Sequence, residues 1–519
     1  MPIAVIAVIA AIAAIGFADR SAGAPSAADV GTVDVGGVVN VPAVPAGFAG
    51  LSLEYTTVED YLGTDPSSTD LVFEQLIRNI APGQRPVLRI GGDTTDWTWS
   101  PIPGMIRPPW ARYTLSSGWL GVMQSLERAI GARFIFGVNL EADSRPVVQE
   151  ETTDLLRGLG RGAIAAFELG NEPELYGSYS WYRTTSGQHI TGRPRSYNFA
   201  DFTRDFTRIG SAVPTLVALA GPGTGGSAPW TSPLPGFLDR EPRVKIVTMH
   251  RYGLNGCSHL VPITALLSSG AQAGLVASVA RPLAVAHAQH VRLRIEEMNT
   301  VACGGQRGVS NTFAAALWLL GTMLDAARLG VDGVNVHTNP VSNPPPTPTR
   351  QSARTAHAAY GLPIKSPGLN SLFDFSLSGG VWHASIRPEY YGMLLFAQAA
   401  PPRSRFLRTV LHGAVTGLHE WALEAPDGTI HVVLDNERLT GTETVKVRIP
   451  ASRGVGTLER LSAPGLAATG GVTLGGRRFG ASTTTGRLPA PVRSTVTPTD
   501  SIYQVELPAT SAAMLTVRR

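Results

Sequence analysis

Cysteine is scarce. Only two of the 519 residues are cysteines, Cys257 and Cys303, too few for a disulfide-dense scaffold. Lysine is nearly as rare, at positions 245, 365 and 446, so arginine carries the positive charge, and the net charge is only +4. No Arg/Lys cluster stands out, which argues against a nucleic-acid partner. Charged residues make up 16%, and that figure beside ample apolar content excludes a disordered chain. Long hydrophobic runs are missing except at Ile3–Phe17, which is short for a membrane span. Ala22-Gly23-Ala24 follows it as a small-x-small cleavage site. Residues 1–24 therefore read as a secretory signal peptide, and the expectation is a secreted protein without stable membrane insertion after signal removal. The apolar run Phe313–Leu324 ends at Asp325 and is too short to span a bilayer. No metal-ligand cluster and no nucleotide loop is apparent, so neither a metal nor a cofactor is expected.

What the chain does contain is acid at the ends of short apolar strands. Ala165, Ala166, Phe167 and Leu169 read as a buried strand, ended by Gly170 and barred from continuing by Pro173. Asn171 and Glu172 then sit where the chain leaves a sheet. A carboxylate beside apolar strand residues is costly unless used or paired; Glu172 is a salt-bridged loop residue or a general acid. A second segment, Val291–Thr300, also runs from a strand into acid, at Glu296-Glu297. Strand alternation predicts that these two point opposite ways, so that one faces the interior. In a β/α barrel the carboxyl ends of different strands converge on one site, and two carboxylates flanking one bond make a glycosidase apparatus.

Periodicity extends the pattern. Strands are predicted at Phe48–Tyr55, Val87–Ile90, Phe134–Leu140, Phe167–Gly170, Leu216–Ala220, Val244–Tyr252, Val291–Ile295 and Gly333–His337. Helices are predicted after Pro66-Ser67-Ser68 and at Trp119–Ile130, Ala200–Val213, Ala271–His287, Ser310–Leu329 and Glu389–Ala399. Asn339–Pro348 reads as a loop. This alternation predicts a (β/α)8 barrel. From Phe406 the pattern turns to short strands with Gly/Pro turns, such as Ile430–Leu434 and Val445–Ile449, and predicts a β-sandwich. The expected division is residues 25–46 as N-terminal strands, 47–400 as the barrel and 401–519 as the sandwich.

Taken in order, the motifs resemble those of glycoside hydrolase family 79, which contains heparanase and microbial β-glucuronidases. They are Leu53-Glu54-Tyr55, Leu88-Arg89-Ile90-Gly91-Gly92, Glu168-Leu169-Gly170-Asn171-Glu172-Pro173, Met249-His250-Arg251-Tyr252 with Leu254-Asn255-Gly256, and Glu297 with Gly304-Gly305. The resemblance implies a barrel plus a β-sandwich that also takes an N-terminal strand. It implies Glu172 as acid/base and Glu297 as nucleophile. Asn171 would meet the sugar's 2-hydroxyl, Tyr252 and His250 would support the nucleophile, Glu54 would hold sugar hydroxyls, and Tyr390 would lie near the site. In family glucuronidases a Tyr precedes the double Gly and, with the Gly amides, receives the substrate carboxylate; here Cys303 stands in its place, leaving Gly304 and Gly305. The expected function is that of a secreted retaining exo-β-glucuronidase-like enzyme acting on an oligosaccharide, polysaccharide or glycoconjugate. The alternatives are a neutral-sugar β-glycosidase and a non-catalytic carbohydrate-binding protein. Cys257 and Cys303 follow neighbouring strands of the expected barrel, and an exported chain with an even Cys count predicts a bridge between them.

Overall fold

The computed structural model describes residues 30–339 and 369–518, apart from 414 and 453. The expected signal peptide, residues 1–24, and residues 340–348 of the expected loop lie outside the described residues. Eight parallel strands close into a barrel: Ala49–Glu54, Val87–Gly91, Arg133–Val138, Ile164–Leu169, Leu219–Thr224, Val244–Leu254, Arg292–Val301 and Val334–His337. Each expected strand is present, with ends moved by a few residues. In Ala49–Glu54, Arg133–Val138, Ile164–Leu169 and Leu219–Thr224 five of the six residues are apolar or small and buried, as strands covered on both faces require.

Local chemistry explains most helix limits. Leu71–Ile80 is capped by Asp70, whose side chain accepts from the Val72 N–H at 2.8 Å; the cap expected at Pro66-Ser67-Ser68 lies upstream of it. Ser116 caps Ser117–Ile130, and Gly131, at φ 65°, ends it. Helix Arg145–Leu159 was hidden from periodicity by its many polar residues, including the Glu-Glu-Thr-Thr run, yet it buries Val147, Val148, Leu155 and Leu159. The helix expected over Ala271–His287 is broken into a turn at Gly270–Gly274, a short piece at Leu275–Ala277 and the helix Ala280–Ala288. Helix Phe313–Leu329 is buried along nearly its whole length. It packs against Pro388–Ala399 so closely that a Cβ on Gly392 would stand 2.3 Å from the Ala316 carbonyl.

Outside the barrel the described chain forms a ten-stranded sheet and three two-stranded ones. Ile502–Pro508, at one end of the sheet, touches Ile430–Asn436 and Ser511–Val517 from its middle. The sheet thus folds over a core that includes Val33, Val35, Leu407, Val432, Leu434, Val445, Val447 and Leu515. The N-terminal strand Val30–Val38 is an internal strand of it, third from one end. It runs antiparallel to Arg405–His412 and parallel to Thr442–Arg448. The sandwich is fixed to the barrel through apolar contacts and a hydrogen bond from Trp421 Nε1 to Asp325 at 2.8 Å.

Candidate active site

The carboxyl ends of the barrel strands bring Glu172, Glu297, Asn171, His250, Tyr252 and Glu54 together. Glu172 follows the fourth strand in a left-handed conformation, φ 44°. Its N–H donates to the Gly223 carbonyl at 2.9 Å, and its Oε1 lies 2.9 Å from His250 Nδ1. Glu297, on the seventh strand, accepts the Tyr252 phenol at 2.6 Å on Oε1 and Arg89 Nη1 at 2.7 Å on Oε2. One carboxylate oxygen from each of Glu172 and Glu297 lies within 4.8 Å of the other and of His250.

Electrostatics sets Glu297 apart from Glu54. Burial alone would raise the Glu297 carboxyl. The positive charge at His250, the His337 ring, Arg89 and the Tyr252 hydrogen bond instead hold it well below the usual carboxylate range. Such a carboxylate is ionised and ready to act as a nucleophile. Burial pushes Glu54 up to about 8, reinforced by Asp93. Its oxygens take the Asp93 and Thr94 N–H groups and the Thr94 hydroxyl. Gly92 permits that approach: a Cβ there would stand 2.0 Å from Glu54 Oε1.

Arg89 is the hub that motif reading passed over. It is fully buried, and its Nη2 holds Asn171 Oδ1 at 2.8 Å and Glu168 Oε2 at 3.1 Å. With its oxygen taken by Arg89, Asn171 turns its Nδ2 toward Asp93, 3.3 Å away. An arginine inside the apolar strand Val-Leu-Arg-Ile-Gly was the available signal, since a buried cation needs partners. Asp96 was also missed. It gathers three loops by accepting from the Leu140, Glu141 and Asn171 N–H groups and the Tyr176 phenol. Burial pushes it up to about 6 against those donors. The triads Glu172–His250–Glu297 and Glu168–His250–Glu296 are spaced closely enough to surround a cation; the Arg89 guanidinium already supplies one, in contact with Glu297 and Glu168.

Glu296 corrects the alternation argument. Met249 pairs with Ile295 but His250 pairs with Glu297, so a bulge leaves Glu296 as the extra residue. Both acids consequently reach the His250 ring, Glu296 at 3.4 Å from Nε2 and Glu297 at 3.9 Å from Nδ1. Tyr390 is a second correction. Its phenol donates to the Leu76 carbonyl at 2.8 Å and its ring packs on Phe373, which places it among the outer helices, apart from the acids. The reason is its position on Pro388–Ala399, a helix buried between Leu71–Ile80, Phe313–Leu329 and the sandwich.

The loop after Glu297 is tied down by a Cys257–Cys303 disulfide. Gly305 N–H donates to the Val301 carbonyl at 3.2 Å, so it is occupied by the chain. Around Gly304 a Cβ would meet nothing within 4 Å. Beside Glu172 opens a crevice lined by Asp93, Trp97, Asn171, Tyr179 and Trp181. Arg112 stacks over Trp97 at 4.0 Å, and Trp181 stacks on Trp110 at 5.3 Å. A larger cavity, about 690 Å³, lies between Arg307, Asn311 and the sandwich segment Thr469–Ala481, and none of the acids at the barrel centre lines it.

No family model matches the chain. It is 25% identical over 518 residues to a β-glucuronidase of Aspergillus niger, covering 91% of this chain and 90% of that protein. A β-glucuronidase of Neurospora crassa is 26% identical over 56% of each chain. Among solved structures, a 4-O-α-L-rhamnosyl-β-D-glucuronidase from Fusarium oxysporum superposes with a TM-score of 0.68 at 17% identity, covering 93% of this chain and all of that one. A family 51 arabinofuranosidase from Xanthomonas axonopodis reaches 0.62 at 16% identity, covering 94% and 99%. At those identities the structures show the fold alone, a glycosidase barrel with a β-sandwich. The fold, the facing carboxylates and a relative matched over nine-tenths of both chains make this chain a barrel glycoside hydrolase. Within that class its likeness is to family 79, and it holds over nine-tenths of the chain.

Proposed function

We propose that the chain is a secreted, retaining, exo-acting β-glycosidase that removes terminal β-linked glucuronic acid from a saccharide or glycoconjugate. The observation that carries the retaining reading is the separation of the two acids, with oxygens of Glu172 and Glu297 within 4.8 Å. Double displacement needs carboxyl groups roughly 5–5.5 Å apart, whereas inversion needs a wider gap to admit water. In the first step Glu297 attacks the anomeric carbon while Glu172 gives its proton to the leaving oxygen. The glycosyl ester on Glu297 then yields to water, whose proton returns to Glu172. Tyr252 and Arg89 hold the nucleophile's oxygens, and Asn171 offers its Nδ2 to the 2-hydroxyl.

The glucuronide reading draws on the A. niger and N. crassa relatives. A neutral-sugar reading gains support from the site itself: Cys303 replaces the phenol and Gly305 N–H is already bonded. Hydrolysis of an aryl glycoside panel separates them. Aryl β-glucuronides hydrolysed at least tenfold faster than aryl β-glucosides, with the β-anomer released first, are the expected result. A glucoside preference would remove the uronic acid and leave the barrel chemistry. No turnover of any aryl glycoside would favour a carbohydrate-binding protein.

A further inference from the structure

Beneath the two catalytic candidates lies a second acid pair that the double displacement does not use. Glu168 is the last residue but one of the fourth barrel strand and Glu296 is the bulged residue of the seventh; both side chains are fully buried. Glu168 Oε2 receives Arg89 Nε at 3.3 Å and Nη2 at 3.1 Å. Glu168 Oε1 and both Glu296 oxygens receive no aligned donor among the described residues. A buried carboxylate left like that is costly.

Charge balance identifies what is missing. Glu168, Glu296 and Glu297 surround the Arg89 guanidinium. Two adjacent carboxyls in a dry site do not both ionise. One proton shared by Glu168 and Glu296, and one on the His250 ring, leave two negative and two positive charges. A shared proton would join the two carboxyls, which each place one oxygen within 4.8 Å of the other and of the His250 ring. Burial and the Glu296 charge push the Glu168 carboxyl up; burial would raise Glu296 too, but Glu168, Arg89 and His250 hold it down. The ring of His250 then has an acid at each nitrogen: Glu296 at 3.4 Å from Nε2 and Glu172 at 2.9 Å from Nδ1. An imidazolium carries N–H at both nitrogens: Nδ1 is hydrogen-bonded to Glu172, and Nε2 stands at ion-pair distance from Glu296 and 3.5 Å from Arg89 Nη2.

We propose that Glu296 is a positioning residue for the acid/base: sharing a proton with Glu168, it anchors His250 so that the ring holds Glu172 in place through both displacements. This rests on Glu172 acting as acid/base. The second displacement shows why two acids are needed. When Glu297 becomes an ester it loses its charge, and that charge is the largest influence favouring the His250 imidazolium. Glu296 remains as a counter-charge, and Nδ1–H stays aimed at one oxygen of Glu172, leaving the other free to face the glycosidic oxygen or the attacking water. The other ionisable groups acting on His250 are Arg89, Glu174 across the Glu172 loop, and His337 from the eighth strand. Arg294, lower on Glu296's own strand, acts on Glu296.

The test needs no substrate at its first stage. Nitrogen-15 imidazole shifts of the full chain should show His250 still protonated at both nitrogens at neutral pH, where an ordinary histidine is mostly neutral. A neutral ring at pH 7 would overturn the proposal. Glu296→Gln keeps the shape and removes the charge. It should bring His250 deprotonation, and the basic limb of kcat/KM for an aryl glycoside, to lower pH. It should also reduce kcat by about 10- to 100-fold with KM within twofold, and Glu296→Asp should restore part of the limb position. An unmoved ring titration and limb, with kcat falling only in step with Tm, would make Glu296 a packing residue and sink the idea. Absence of turnover by the parent enzyme would instead sink the glycosidase reading, while the ring titration still decides the Glu296–His250 link.

Discussion

At the scale of single residues, the site is a set of carboxyls sorted by neighbours. Glu297 is held low by cations and a phenol, whereas Glu54 is pushed up to about 8 by burial and Asp93. Glu172→Gln and Glu297→Gln should each lower kcat by about 10³-fold or more, with the fold unchanged by circular dichroism. A loss below tenfold in either would remove it from the chemistry. Tyr252→Phe deletes the 2.6 Å hydrogen bond to Glu297 and should cost about 10- to 100-fold in kcat with little change in KM, because the phenol acts on the nucleophile and hardly on the bound sugar. A large KM rise with kcat intact would make Tyr252 a sugar contact instead. Much at this scale was legible: an acid at the end of an apolar strand announces itself, and both Glu172 and Glu297 did. Glu296 misled because alternation holds only along a regular strand, and a bulge is invisible in composition. Glu168 was passed over inside its own motif, because nothing in one strand reveals an acid facing it from another.

At the scale of elements, strand order was readable because each parallel strand is a short apolar run with a polar exit. Broken or polar-rich helices were not: Arg145–Leu159 buries one thin stripe, and Gly270–Ala288 is interrupted. Tyr390 shows a related limit, since a residue following the barrel's eighth strand can face either the site or the outer helices, and packing alone decides. Two connections carry measurable consequences. The Cys257–Cys303 bridge joins residues 46 apart in sequence and contributes about 4 kcal/mol in the chain-entropy model. Cys257→Ser with Cys303→Ser should lower Tm by several degrees and raise KM more than it lowers kcat, because the freed loop borders the sugar site. Unchanged KM would mean the loop does not contact substrate. The strand Val30–Val38 fills a gap between Arg405–His412 and Thr442–Arg448. Beginning the chain after Val38 would expose two strand edges in the middle of a sheet. The expected result is aggregation or a marked fall in Tm, measured by light scattering and thermal unfolding; a soluble monomer of unchanged Tm would contradict the sheet order.

At the scale of the whole molecule, many buried acids make stability depend on pH in one direction. Burial raises Asp96 to about 6, Asp70 and Glu174 to about 7, and Glu54 and Glu389 to about 8. Between the ordinary carboxyl value, about 4, and those values, the folded chain holds protons that the unfolded chain has released. Stability therefore falls as pH rises across that window. His250 acts in the same sense. Burial would lower it, but Glu297, Glu172 and Glu296 raise it well above its ordinary value; its contribution is complete below about pH 6.5 and fades as pH rises through the folded value. Glu296 and Glu297 are shifted the other way, so what they contribute is present above the ordinary carboxyl range and is lost only on acidification below it. They add no slope from about pH 5 upward. Thermal unfolding at constant ionic strength should then give a Tm that declines by several degrees from about pH 5 to about pH 8. Glu54→Gln should flatten the decline, because the amide has no proton to lose as pH approaches 8. A Tm that climbs toward pH 8, or a Glu54→Gln profile parallel to that of the parent, would show that these acids are ionised inside the fold.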